Sequence, residues 1–268
     1  MPSDAPTSPT SERALEAALP VFARAGDGGS TAVHDEGDLR RIATGRPYAS
    51  FNHIYAVRLR DPGVEARIAA VGESMRRSRS VPATWWIGPS TRPADLGRRL
   101  AAAGLREEEP ESGMVIDPAD PRPRTDAPSG VTVGRVTDDA GLRDWIAVMD
   151  RAYGWADRAK ADAVLAVYRS VPASGRPWIH LVARVEGEPA ACGSVFLVDG
   201  QAFVTNIGTV PAHRGRGLGS LVTSALLDLV RDLGHREATL TASVMGRSMY
   251  ARLGFREDAR FERYILDR

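Results

Sequence analysis

Apolar residues recur at helical spacing through Leu218, Leu221, Val222, Leu226, Leu229, Val230 and Leu233, and Gly234 stands where such a helix would end. Upstream, three strand-like stretches, Trp178 to Val185, Ala190 to Val198 and Ala202 to Val210, are joined by Glu-Gly-Glu and Asp-Gly, which predict hairpin turns. Alternation at Val131, Val133 and Val136 predicts a strand, and mixed polar and apolar spacing predicts helices over Asp138 to Tyr153 and Arg158 to Val171. After the long helix come an expected strand from Ala238 to Val244, a short helix from Arg247 to Leu253 closed by Gly254, and terminal strand around Phe261 to Leu266. The order is β-α-α-β-β-β-α-β-α-β.

The first part of the chain reads as a helix from Ser11 to Phe22, kinked at Pro20, then a strand from Asn52 to Leu59 and a helix with Val64, Ile68, Val71 and Met75 on one face. A strand Thr84 to Ile87, a helix Pro93 to Ala103 closed by Gly104, and a strand near Met114 to Ile116 follow. Between the two parts, Asp117 to Gly130 carries four prolines, which stop regular structure and favour an extended spacer. The expected organisation is a disordered lead-in (1–10), a first domain (11–117), a linker (118–129) and a second domain (130–268).

Composition narrows the class. A chain of 268 residues with 43% hydrophobic content and a net charge of +1 is globular, with enough length for a core or two. Cys192, the lone cysteine, can form no intrachain disulfide and no thiolate metal cage, so no metal is expected and a reducing, cytoplasmic location is. No apolar run is long enough for a membrane span, and the N-terminus does not read as a signal peptide. Near-neutral charge gives no general footprint for nucleic acid, although Arg76, Arg77 and Arg79 form a local basic cluster. Lys160 is the only lysine among 35 basic residues, a usage attributed to a GC-rich genome before an arginine-driven function.

The chemistry is concentrated in Val210-Pro-Ala-His-Arg-Gly-Arg-Gly-Leu-Gly-Ser220, between a strand and the long helix. Gly215, Gly217 and Gly219 allow close backbone approach, and the helix start adds unpaired N–H groups and partial positive charge beside Arg214 and Arg216. Such a loop suits pyrophosphate. It is neither a P-loop, having no lysine, nor a clean dinucleotide fingerprint; an ordinary strand-to-helix turn is the plain alternative.

The spacing of Arg214, Gly217 and Gly219 resembles the Arg-x-x-Gly-x-Gly signature of the GNAT superfamily of acyl-CoA-dependent acetyltransferases. Asn206-Ile-Gly-Thr-Val-Pro211 is similar to that family's fourth strand, and Ala242 to Phe255 to its last motif; the resemblance covers most of residues 130–268. It implies a mixed, mostly antiparallel α/β sheet flanked by helices, with acetyl-CoA as acyl donor and a primary amine of a small molecule or peptide as acceptor. Homodimerisation is left open. The implied cofactor contacts are Ile207, Gly208, Thr209 and Val210 on the strand, Arg214, Gly215, Arg216, Gly217, Leu218, Gly219 and Ser220 in the loop, and Ser243, where many relatives carry asparagine. Gly208 would mark the family's β-bulge, and the Val210 N–H would serve as an oxyanion donor.

Tyr250 stands where the family tyrosine protonates the departing thiolate, with a packed core tyrosine as the alternative. Thr205 and Asn206 stand where relatives place a glutamate base, so the base is missing; Asp150, Asp157 and His180 are candidates, as is a water chain. Tyr153 and Trp155 are candidates for an acceptor pocket. The first half repeats the later element order, with Leu100 at the tyrosine position and Leu59 to Glu65 at the loop position, and reads as a degenerate GNAT-like half. Trp85, Trp86, Gly88 and Pro89 are candidates for a cleft between the halves. Two other classes compete with an enzyme of amine acylation: a catalytically weak acyl-CoA sensor or interaction protein, against which Tyr250 argues, and an aminoacyl-tRNA-dependent peptide transferase, against which the intact loop and modest basic surface argue.

Overall fold

The computed structural model describes residues 8–24, 32–123, 125–155, 158–170 and 178–268. Most of the expected lead-in therefore lies outside the described residues, as does Asp157. The first half contains α1 (Thr10–Arg24), β1 (Ala32–Asp35), β2 (Arg40–Ala43), β3 (His53–Tyr55), α2 (Val64–Arg77), β4 (Ala83–Ile87), α3 (Leu96–Ala102) and β5 (Arg106–Ile116). The second contains β6 (Val131–Arg135), α4 (Asp139–Tyr153), α5 (Arg158–Ser170), β7 (Trp178–Val185), β8 (Glu188–Val198), β9 (Gln201–Thr209), α6 (Leu218–Asp232), β10 (Ala238–Ala242), α7 (Val244–Arg252) and β11 (Arg256–Leu266).

The strands form one sheet of eleven, ordered β1-β2-β3-β4-β11-β5-β10-β9-β8-β7-β6. Its pairs are antiparallel except β3–β4 and β9–β10. The centre of this order is an exchange. β5, the last strand of the first half, lies against β10 of the second, with Ser112 opposite Ala242; β11, the last strand of the second half, lies against β4 of the first, with Tyr264 opposite Trp85. The two exchanged strands then pair with each other.

Helices α1, α4 and α5 cover one face over a core including Leu15, Trp145, Tyr168, Phe196 and Phe261, residues drawn from both halves. On the opposite face α6 and α7 bury Leu221, Val222, Leu226 and Leu253, and α2 and α3 bury Val71, Met75, Leu96 and Leu100 beneath Trp85. The apolar stripe of α6 faces the sheet as its spacing predicts, although Leu233 at its end is exposed. The proline-rich spacer is tied down against α6: Arg122 pairs with Asp228, and the Thr125 and Ser224 hydroxyls are 3.2 Å apart. Among the described residues no helix is long and apolar enough to cross a membrane, and no group of three or more His, Cys, Asp or Glu could hold a metal ion.

Candidate active site

The site begins where two parallel strands part. β9 and β10 pair only at Ala202–Ala238 and Phe203–Thr239. Beyond that point β10 ends at Ala242, and the Ser243 hydroxyl accepts a hydrogen bond from the Gly246 N–H (3.3 Å) as the N-cap of α7. The separation leaves an edge of β9 without a strand partner, and unpaired main-chain groups need one.

A bulge accompanies the opening, but not at Gly208. The β8–β9 register jumps from Cys192–Gly208 to Ser194–Thr205, so the extra residues are Asn206, at φ 56°, and Ile207 opposite Gly193. A side chain at Gly193 would collide with Ile207 and Val222, at 2.5 and 2.7 Å from its Cβ. Gly208 answers a different need: its Cβ would lie 2.9 Å from that of Ala152, where α4 presses on the strand.

Hydrogen-bond accounting corrects the expected oxyanion donor. The Val210 N–H donates to the Ala190 carbonyl on β8 (2.9 Å), so it points away from the opening. Antiparallel alternation then turns the main-chain groups of Thr209 to the open edge. The Thr209 carbonyl accepts from Arg214 Nε (3.3 Å), and the Ile207 carbonyl accepts from the Tyr153 phenol (3.1 Å). The Thr209 N–H is the donor that faces the gap.

In the loop, Gly215 and Gly217 adopt left-handed φ values of 76° and 78°, with open space where a Cβ would stand. The first main-chain bond of α6 runs from the Leu221 N–H to the Gly217 carbonyl (3.0 Å), leaving the amides of Leu218, Gly219 and Ser220 without an intrahelical acceptor. The Leu218 side chain is buried in the core, so only its main chain faces the loop. Gly219 also permits helix contact, since its Cβ would lie 3.1 Å from Met249 Sδ. Arg214 is engaged structurally: Nη2 donates to the Ala152 carbonyl (2.8 Å), fastening the loop to α4. Arg216 is exposed beside His213, at 3.0 Å.

Tyr250 sits behind the opening on α7, 8% exposed and edge-on to Phe255. Burial, and then the charge of Glu111, push its phenol above the usual range, so it holds its proton. Cys192 is also buried and its thiol pushed up, which makes it a poor nucleophile.

On the α1 side of the gap lies a cavity of about 500 Å³ whose lining includes Thr205, Asn206 and Thr241 from the parting strands. Trp86, Trp155, Tyr168, Phe196 and Phe203 form its aromatic wall; Glu108, Glu111, Arg106 and Arg263 from the exchanged strands, with Asp267 just after β11, form a charged one. Of the predicted pocket residues, Trp86 and Trp155 line it, whereas Trp85 is core and Gly88 packs on Glu12 of α1. His180 does not line the cavity: it is 3% exposed among Trp145, Tyr168 and Trp178, with Nδ1 2.6 Å from the Ser194 hydroxyl. Asp150 does not line the cavity. The charged wall escaped the sequence reading, and its only local signal is the acidic run Glu107 to Glu111.

The sequence model of the acetyltransferase (GNAT) family matches residues 142–255. A mycothiol acetyltransferase of Clavibacter sepedonicus is 32% identical over 142 residues, 49% of this chain and 45% of that protein, so the match spans less than half of the curated relative. Among solved structures, a GCN5-related N-acetyltransferase from Kribbella flavida superposes with a TM-score of 0.70 at 20% identity, covering 95% of both chains. A tandem GNAT protein from the clavulanic acid biosynthesis pathway gives 0.60 at 20% identity over 96% of both. The chain has the fold of these tandem GNAT acetyltransferase structures, and the family's sequence model matches residues 142–255 of its second half.

Proposed function

We propose that the protein is an acyl-CoA-dependent N-acyltransferase that moves acetyl from acetyl-CoA to a primary amine of a small molecule or peptide by direct transfer. The observation that carries this reading is the junction of three features at one gap. The outward amides of Leu218, Gly219 and Ser220 suit a pyrophosphate, the Thr209 N–H faces a slot between strands, and that slot opens on a 500 Å³ cavity. Residues Ile207 to Val210 would line the acyl-pantetheine arm, and Gly215 to Ser220 the pyrophosphate. Arg214 supports the loop from below, and Ser243 fixes the start of α7. Bound there, acetyl-CoA supplies the thioester.

The Thr209 N–H would polarise the thioester carbonyl, and Tyr250, still protonated, would protonate the departing sulfur. A buried, protonated Cys192 favours direct transfer over an acyl-enzyme. The mycothiol acetyltransferase likeness favours a small-molecule acceptor. The proposed place of action is the cytosol.

The test is release of free CoA from acetyl-CoA with a panel of primary amines. Tyr250→Phe is expected to lower kcat by about a hundredfold while acetyl-CoA binding, measured by calorimetry, stays within threefold. Unchanged turnover would remove Tyr250 from the mechanism, and tight binding without turnover on any amine would point to a sensor.

A further inference from the structure

The parting strands carry Thr205 and Asn206 but no carboxylate to take a proton from an acceptor. The exchange of β5 and β11 brings one from the other half of the chain. Ser112 on β5 is opposite Ala242, so Glu111 stands one step further, level with the start of the helix that carries Tyr250. Its side chain lines the cavity, and its charge is felt by the Tyr250 phenol across the gap. Tyr250 belongs to the core on the α6 face and Glu111 to the cavity on the α1 face, so the two acidic groups address the slot from opposite sides.

We infer that Glu111, delivered by the exchanged strand, holds and deprotonates the ammonium of an acceptor whose flat apolar body lies on the Trp86–Trp155 wall. This inference rests on the proposed N-acyltransferase function. Arg263 Nη1 is 3.0 Å from Glu111 Oε1, but the same guanidinium also serves Glu108 (3.4 Å). Arg106 is likewise shared, between Glu108 (3.1 Å) and Asp267 (3.5 Å). Three carboxylates therefore divide these two arginines, and Glu111 shares its guanidinium with Glu108. The other charged or titratable groups facing the cavity are Lys160, over the Trp155 ring at 5.0 Å, Tyr168, whose phenol burial pushes up, and His53, buried and neutral. The cavity's volume suits a small ligand.

The protons balance. One proton passes from the acceptor ammonium to the Glu111 carboxylate and on to solvent. The freed nitrogen lone pair forms the C–N bond at the thioester carbon, the C–S bond breaks with its electron pair on sulfur, and Tyr250 protonates that sulfur. The second proton lost by the nitrogen returns to the Tyr250 phenolate, so the sum is amide, CoA thiol and one released proton.

Tryptamine is the probe, with tryptophol as its neutral counterpart. Calorimetry on the wild-type protein without acetyl-CoA should find tryptamine bound at least tenfold more tightly than tryptophol, and Glu111→Gln should level the two. Equal binding of both by the wild type, or no binding of tryptamine, overturns the inference whether or not acetyl-CoA is a substrate. In turnover, Glu111→Gln should lower kcat/KM for tryptamine by about a hundredfold near neutral pH. The deficit should shrink as rising pH supplies free amine, with acetyl-CoA binding within threefold of wild type. A parallel pH profile with no deficit overturns the role of Glu111. Failure of wild-type acetyl-CoA binding would instead count against the N-acyltransferase reading, leaving the amine-binding result to decide the role of Glu111.

Discussion

The two halves open their sheets in the same way and finish differently. β3 and β4 run parallel and pair at two positions, His53–Thr84 and Ile54–Trp85, as β9 and β10 do at Ala202–Ala238 and Phe203–Thr239. After β4 the chain comes back to fill the gap: the Arg92 N–H donates to the Val57 carbonyl and the Leu59 N–H to the Arg92 carbonyl, both at 3.0 Å. After β10 it turns into α7, and the gap stays open. The following helices differ in the same sense. α6 begins on a glycine loop with outward amides, whereas α2 begins after Gly63 with Glu65 hydrogen-bonded to its own N–H and Asp61 held by Arg99. Carboxylates occupy the helix start where phosphates would be wanted. An unpaired strand edge is a ligand site only while the chain declines to pair it, and the first half has paired its own.

The strongest way to break this comparison is to separate the halves. Residues 118–268 alone would lack β5 beside β10, and residues 1–117 would lack β11 beside β4. Neither fragment should show a cooperative melt by circular dichroism, while the two expressed together should recover one. Independent melting of both fragments would show that the exchange is dispensable.

Next in size is a charge placed at each loop. Gly217→Asp puts a carboxylate at the outward amides and should weaken acetyl-CoA by about a thousandfold in calorimetry. Its counterpart Gly63→Asp should change affinity by less than about twofold, and equal losses would mean that both halves bind the donor.

A smaller effect comes from the buried His53. Burial pushes His53 down to about 4, and its neutral Nδ1 accepts from Trp86 Nε1 at 3.2 Å. Because the unfolded state takes up the proton first, stability is full above about pH 6.5 and falls as pH drops toward 4, by about 3 kcal/mol in all. Urea denaturation at several pH values should show this slope, and His53→Gln should remove most of it. A slope retained in the variant would place the titrating group elsewhere.

Much of the second half is legible in sequence because its signals are local. The α6 stripe, the hairpin turns and the glycine loop each lie within a few residues, and the elements fall within a few positions of expectation; α7 starts three residues early because Ser243 caps it. Long-range pairing leaves no such trace. β5 is 11 residues long, but its acidic beginning hides it, and nothing near Glu111 announces that Ala242 will lie beside it. β1 and β2 are four residues each, with arginine, histidine and aspartate among them, too short and polar for periodicity to register. The bulge falls at Asn206 and Ile207 rather than at Gly208, because Gly208 answers to Ala152 of α4 and Gly193 to Ile207 and Val222, neighbours that only the folded chain brings near.

The exchanged strands also set an order of events during synthesis. β11 is made after every other strand of the sheet, yet its place is between β4 and β5, whose residues leave the ribosome more than a hundred positions earlier. Until it arrives, the facing edges of β4 and β5 are unpaired and exposed to other nascent chains. The central sheet cannot close progressively behind the ribosome; it closes from the last strand inward, and chaperone protection of those two edges would matter most in that interval.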